Sequence, residues 1–196
     1  MNYIIVAYYT RNTLYEKVTQ KFIASMKKFD IPYYIEAVEN RGDWYKNTNY
    51  KPTFLKKMLK KFPCLSVVYV DCDAEFLRFP DLFENWSTLS YIDIGVYVFD
   101  RSCYTKSKGG FEVLSGTIFL KNNEKVYKIV EDWEKECNAH PRVWDQRSLE
   151  KVLNGHYHVL PGEYCKIFDR MKDIKNPVIV HYQASRQVRK NKGGLK

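Results

Sequence analysis

Apolar and polar positions along this chain follow two periods. Residues 3–9 form an apolar run rich in branched and aromatic side chains, the mark of a strand covered on both faces. Thr10-Arg11-Asn12-Thr13 follows as a polar turn with capping residues. Leu14, Val18, Phe22, Met26 and Phe29 then recur at helical spacing, which predicts a helix over 13–29. A strand at 31–38 completes a βαβ unit, whose crossover should be right-handed and whose strands should run parallel. The polar stretch 39–50 reads as a loop. Lys51-Pro52 opens a helix over 53–62 with Phe54, Leu55, Met58, Leu59 and Phe62 inward and Lys56, Lys57, Lys60 and Lys61 outward. Residues 65–70 give a third strand, 76–83 a turn or short helix, and 92–99 another strand. Residues 100–110 look like a mobile loop. A strand over 111–120 is interrupted at Ser115-Gly116. Helices at 124–137 and 144–153 and short strands at 157–160 and 178–181 complete the pattern. With no internal repeat or heptad pattern, this order predicts a three-layer α/β domain with a mostly parallel mixed sheet.

Length narrows the picture to one domain over 1–188 with a basic tail at 189–196, since 196 residues suffice for a single core. No apolar stretch approaches the roughly 20 residues of a membrane helix. The start lacks a basic segment ahead of its apolar run, so no signal peptide is expected. Five cysteines, odd in number and without a CxxC pair, indicate neither a zinc site nor a disulfide framework. Together these features imply a reducing, cytoplasmic setting. The net charge of +9 is uneven: residues 164–196 hold nine Lys and Arg against two Asp, a surplus of seven. Such an end suits an anionic partner or a solvated tail. The four lysines of 53–62 read either as a solvated helix face or as a nucleic-acid patch. The 16 tyrosines suit clefts for sugars or bases, and they equally reflect AT-rich codon usage.

The chemistry concentrates where the third strand, Leu65-Ser66-Val67-Val68-Tyr69-Val70, runs into Asp71-Cys72-Asp73. Carboxylates at the carboxyl end of such a strand stand where open α/β sheets keep their ligands. On an extended segment Asp71 and Asp73 point the same way. The pair suits a hard divalent cation, which can in turn hold a diphosphate.

The run from Val67 to Ala74, with Leu82-Phe83 after it, resembles the DxD segment of GT-A fold glycosyltransferases, most closely the retaining families related to glycogenin and lipopolysaccharide galactosyltransferases. Ser115-Gly116-Thr117-Ile118-Phe119-Leu120, Trp144-Asp145-Gln146 and Val178-Ile179-Val180-His181-Tyr182 resemble three further family elements in the same order. The resemblance spans most of the chain. It implies metal ligands at Asp71, Asp73 and His181, and donor contacts from Tyr8, Tyr9, Thr10, Lys51, Asp71 and Gly116. Asp145 and Gln146 would reach the transferred sugar. Each position also has a plainer reading: core tyrosines and a cap at 8–10, a bulge at Gly116, a first-turn acid at Asp145, a strand-end histidine at His181. An imidazole ligand favours Mn²⁺ over Mg²⁺. The family's glycine and diphosphate-gripping lysine are replaced by Ala184 and Gln187, which leaves Arg186 or Arg189 to supply the cation.

The resemblance therefore implies a metal-dependent, retaining transfer from a nucleotide-sugar, with UDP as nucleotide. The acceptor is expected to be anionic: modified DNA bases of a phage are the favoured reading, with a glycan or lipopolysaccharide precursor as the alternative. Two rivals remain. A basic nucleic-acid-binding module would not explain paired strand-end carboxylates. A metal-dependent phosphatase or nuclease would want further acids, for which only Asp93 and Asp100 offer themselves.

Overall fold

A single sheet with two apolar faces organises the chain. The computed structural model describes residues 1–104 and 109–184. In chain order the elements are β1 (Tyr3–Thr10), α1 (Leu14–Lys28), β2 (Tyr33–Val38), α2 (Trp44–Thr48), α3 (Lys51–Lys61), β3 (Ser66–Val70), β4 (Ala74–Phe76), α4 (Asp81–Thr88) and β5 (Ile94–Asp100). There follow α5 (Arg101–Tyr104), β6 (Phe111–Leu120), α6 (Glu124–Ala139), α7 (Asp145–Leu153), β7 (His158–Val159), a single 3-10 turn at Gly162–Tyr164, β8 (Lys166–Ile167) and β9 (Ile179–His181).

The main sheet has the order β2-β1-β3-β6-β5-β7. Its β2–β1, β1–β3 and β5–β7 neighbours run parallel, and β3–β6 and β6–β5 antiparallel. Alternation assigns each strand residue to a face. Ile4, Val6, Tyr8, Val67 and Tyr69 pack with Phe54, Leu55 and Met58 of α3, Val126, Val130 and Trp133 of α6, and Leu149 of α7. Tyr3, Ile5, Ala7, Val68 and Val70 pack with Phe22 and Met26 of α1 and Phe83 of α4. The result is the expected three-layer α/β fold. Each large side chain sealed in these layers contributes about 1.5–3 kcal/mol.

Several local expectations need correction. Residues 39–50 are not all loop: Asp43 caps α2 by accepting a bond from the Lys46 amide at 2.8 Å. This helix buries none of its residues, so it left no apolar period to detect. Residues 76–83 split into the end of β4, a connection and the first turn of α4. The loop expected at 100–110 begins with α5, and 105–108 lie outside the described residues. A second sheet, β4-β9-β8, was not foreseen. Its strands have two or three residues, below what a period can reveal.

Strand β6 is continuous rather than interrupted, but its pairing slips at the predicted place. Val96 of β5 lies opposite Ile118, and the next residue, Tyr97, lies opposite Leu114. Ser115, Gly116 and Thr117 therefore bulge from the β5 ladder while Thr117 keeps its place opposite Val70 of β3.

Candidate active site

A cavity of about 870 Å³ opens where β1 and β3 end and β6 bulges. One wall carries the candidate metal ligands, the other the candidate sugar contacts.

On the first wall the chain leaves β3 at Val70, and the Asp71 amide donates to the Gly116 carbonyl at 2.8 Å. The segment is not extended, as alternation would require. It turns, with the Ala74 amide donating to the Asp71 carbonyl at 3.0 Å. The turn starts β4, whose Ala74 lies opposite His181 of β9. Sheet pairing, and not strand alternation, thus brings the groups together: single ligand atoms of Asp71, Asp73 and His181 all lie within 4.8 Å of one another. Asp73 Oδ2 also accepts from the Ala184 amide at 2.7 Å.

The His181 ring is oriented by a short relay. Thr117 Oγ1 donates its one proton to the Tyr164 carbonyl at 3.1 Å and lies 2.8 Å from His181 Nε2. The hydroxyl has no second proton, so Nε2 carries the hydrogen and Nδ1 keeps its lone pair. Burial pushes the imidazole down to about 4, against the opposing pull of Asp71. The ring is thus neutral at neutral pH and able to ligate. Burial and the Asp71 charge raise the Asp73 carboxyl to about 7, although the Ala184 amide works the other way. Two carboxylates crowded in this way, with a neutral imidazole beside them, match the donor set of a divalent cation. Gly116 lets the bulge pass close by: a Cβ there would lie 3.2 Å from Asp71 Oδ2 and 3.2 Å from His181 Cε1.

The second wall is built around Lys51, the first residue of α3. An ammonium is disfavoured at a helix N-terminus, and this one is 4% exposed. Burial alone would lower its pKa, but Asp145 and Asp71 hold it above its ordinary value. Lys51 Nζ lies 2.9 Å from Asp145 Oδ2 and 3.4 Å from Asp71 Oδ1. It also donates to the Ser115 carbonyl at 3.0 Å, and the Ser115 hydroxyl donates to Asp145 Oδ2 at 2.8 Å. Asp145 opens α7, where the helix dipole favours an acid, and Trp133 Nε1 fixes its carbonyl at 2.8 Å. Its neighbour Gln146 accepts from the Ser115 amide at 3.3 Å and donates to Glu112 Oε1 at 2.6 Å.

The cavity brings together Tyr8, Tyr9, Thr10, Lys51, Asp71, Asp73, Gly116, Asp145, Gln146 and His181. Tyr8 reaches it from the core: its ring packs against Tyr50, Phe54 and Tyr69, and its hydroxyl donates to the Asn47 carbonyl at 2.8 Å. Arg186, Arg189, Gln187 and the 189–196 tail lie outside the described residues. Asp93 is tied to Asn123 and Lys125, and Asp100 to Ser102, away from the cavity lining. Lys56 pairs with Glu134 and Lys57 with Glu36, so that helix face is partly neutralised.

Sequence reasoning missed Glu112, Arg170, Trp44 and Trp144, which also line the cavity. No local signal marks Glu112 or Arg170. Trp44 and Trp144 meet edge to face at 5.9 Å from segments far apart in sequence. Arg170 leaves a turn closed onto the Ile167 carbonyl at 3.1 Å, and Ile167 pairs with His181. Among the described residues lining the cavity, it is the cation with no carboxylate within ion-pair distance. No helix among the described residues is long and apolar enough to cross a membrane.

A family model described as nucleotide-diphospho-sugar transferase matches residues 2–192. No curated protein sequence matches the chain. Among solved structures, the fold is similar to a glycosyltransferase involved in the glycosylation of the major capsid of PBCV-1. That likeness has a TM-score of 0.73 at 12% identity, over 98% of this chain and 98% of the other. The apo-form glycosyltransferase GlyE of Streptococcus pneumoniae TIGR4 gives 0.64 at 16% identity, over 93% of this chain and 54% of that one. The galactosyltransferase LgtC, in complex with donor and acceptor sugar analogs, gives 0.54 at 11% identity, over 92% and 87%.

Proposed function

The chain belongs to the nucleotide-diphospho-sugar transferase family, and on that premise we propose that it is a Mn²⁺-dependent, retaining hexosyl- or pentosyltransferase using a UDP-sugar. The observation that carries the metal dependence is the convergence of Asp71, Asp73 and a neutral His181 within 4.8 Å. These three residues would hold the ion, which when bound supplies Lewis-acid stabilisation of the departing diphosphate. Arg170 extends positive charge toward the same diphosphate from the β8 side. Tyr9 and Thr10 line the nucleotide end, Tyr8 supports them from the core, and Gly116 admits the sugar close to the backbone.

Asp145 acts as a charge stabiliser rather than as a nucleophile, because Lys51 and Ser115 both engage its Oδ2. Gln146 presents its remaining amide hydrogen and lone pair to sugar hydroxyls. In the transfer the bond from the anomeric carbon to the diphosphate oxygen breaks, its electron pair leaving with the phosphate, and the acceptor oxygen bonds to that carbon as its proton passes to the departing diphosphate. Preorganised charge is the main term in such a step.

For the acceptor we favour a glycan precursor. A phage DNA base loses support from α3, where Lys56 and Lys57 are engaged by glutamates. A DNA acceptor would show itself by binding that weakens steeply with salt.

The test is calorimetric titration of UDP, GDP, CDP and ADP, with and without Mn²⁺, into the wild type and Asp73→Asn. UDP should bind only with Mn²⁺, and the variant should lose both that binding and, by on the order of 10³-fold, turnover. Absence of nucleotide binding in the presence of Mn²⁺ overturns the reading.

A further inference from the structure

Glu112 sits near the start of β6 with its side chain 12% exposed, and it lines the cavity although no chemistry has been assigned to it. A carboxylate so enclosed needs partners for both oxygens. Its two oxygens have different ones. Oε2 receives Arg101 Nε at 2.8 Å and Nη2 at 2.6 Å. Oε1 receives Gln146 Nε2 at 2.6 Å. Arg101 therefore supplies the countercharge, and Oε1 is left to hold the amide. Arg147 Nη2 approaches the same oxygen only to 4.0 Å and pairs with Glu150 at 2.8 Å.

This arrangement settles which way the Gln146 amide faces. The Ser115 N–H can only donate, so it must meet Oε1 of Gln146. A carboxylate can only accept, so Glu112 must meet Nε2. A flipped amide would set its oxygen against the carboxylate and its nitrogen against an N–H, losing both bonds. Of these two anchors, the Ser115 bond is long and neutral at 3.3 Å, whereas the Glu112 bond is short and charge-assisted. The orientation thus rests chiefly on Glu112. With it fixed, one amide hydrogen and one oxygen lone pair remain for the cavity.

We propose that Glu112 is a positioning residue for sugar transfer, locking the Gln146 amide so that a fixed donor and a fixed acceptor face the hydroxyls of the transferred sugar. This rests on the nucleotide-sugar reading of the cavity. Glu112 touches neither the metal ligands nor the nucleotide end, so its removal should separate turnover from donor binding.

The experiment compares Glu112→Ala and Glu112→Gln with wild type. It measures Mn²⁺-dependent UDP binding by calorimetry, kcat and KM for the UDP-sugar, including its slow hydrolysis in the absence of acceptor, and thermal midpoints. UDP binding in wild type verifies the underlying reading independently. Glu112→Ala should lower kcat about 10- to 100-fold with UDP affinity unchanged within about twofold, as expected when a supporting partner of a catalytic group is removed. Glu112→Gln keeps one accepting oxygen, for which Nε2 and Arg101 compete, and should recover part of kcat. The proposal is overturned if the Gln variant is as slow as the Ala variant, if kcat is unaffected in both, or if UDP binding falls in step with kcat.

Discussion

The two walls of the cavity reach charge balance by different routes. On the sugar wall every acid has a cation from the chain: Lys51 stands against Asp145 at 2.9 Å, and Arg101 against Glu112 at 2.6 Å. On the metal wall Asp71 has, among the described residues, the Tyr69 hydroxyl at 2.9 Å and the outer reach of Lys51 at 3.4 Å, and Asp73 is raised to about 7. The first wall is a finished electrostatic object that holds its shape by itself. The second also carries two acids but, among the described residues, places no cation closer than 3.4 Å to either, so a proton or a divalent cation would complete its charge balance. Under the proposed function, orientation would come from the wall that does not change and charge from the wall that does.

The strongest way to break this contrast is to make the sugar wall unfinished as well. Lys51→Met leaves Asp145 buried without its cation, and urea unfolding should show a loss of about 3–5 kcal/mol. Lys51→Met combined with Asp145→Asn should regain much of that stability and none of the activity. If the single substitution proves neutral, the buried pair does not organise the wall.

That pair also shows what the sequence could convey. The apolar run into Asp71 and Asp73 was legible because burial and charge change abruptly at adjacent positions. Lys51 and Asp145 were visible only as matches to family positions; that they meet each other depends on packing α7 against β6. Glu112 was invisible, because a glutamate at the mouth of a strand looks like any solvated residue until Arg101 and Gln146 close on it. Alternation implies extended chain at Asp71–Ala74 where the structure has a turn, since β4 has too few residues to announce itself.

A smaller effect is expected from the relay behind His181. Thr117→Val keeps the branched shape but removes the acceptor for Nε2–H. Mn²⁺ affinity, read by calorimetry, should fall about 10- to 100-fold. Stability in urea should fall as well, by about 1–3 kcal/mol, because Nε2–H and the Tyr164 carbonyl lose their partner. An unchanged affinity would mean that Thr117 does not select the tautomer.

The mildest probe is pH. Asp73 in the fold, at about 7, lies above its usual 3.8. Its protonated form therefore favours the metal-free fold at low pH, and that contribution disappears as pH rises through 7. A bound cation must displace the proton, so Mn²⁺ should bind about tenfold more tightly at pH 8 than at pH 6. His181, depressed to about 4, adds nothing over this range. A flat profile would show that Asp73 is already ionised without metal.

The pairing of β4 with β9 has a consequence for the order of assembly. The Ala184 amide that steadies Asp73 is 111 residues further along the chain, and His181 lies just before it. Contacts so remote form late, after the loop between them has been closed at an entropic cost. During synthesis the parallel half around β1 and β3 can organise while Asp71 and Asp73 still lack their third partner. The three groups that could hold a cation thus converge only once β9 has joined β4, so the cluster is complete only when nearly all of the described fold is in place.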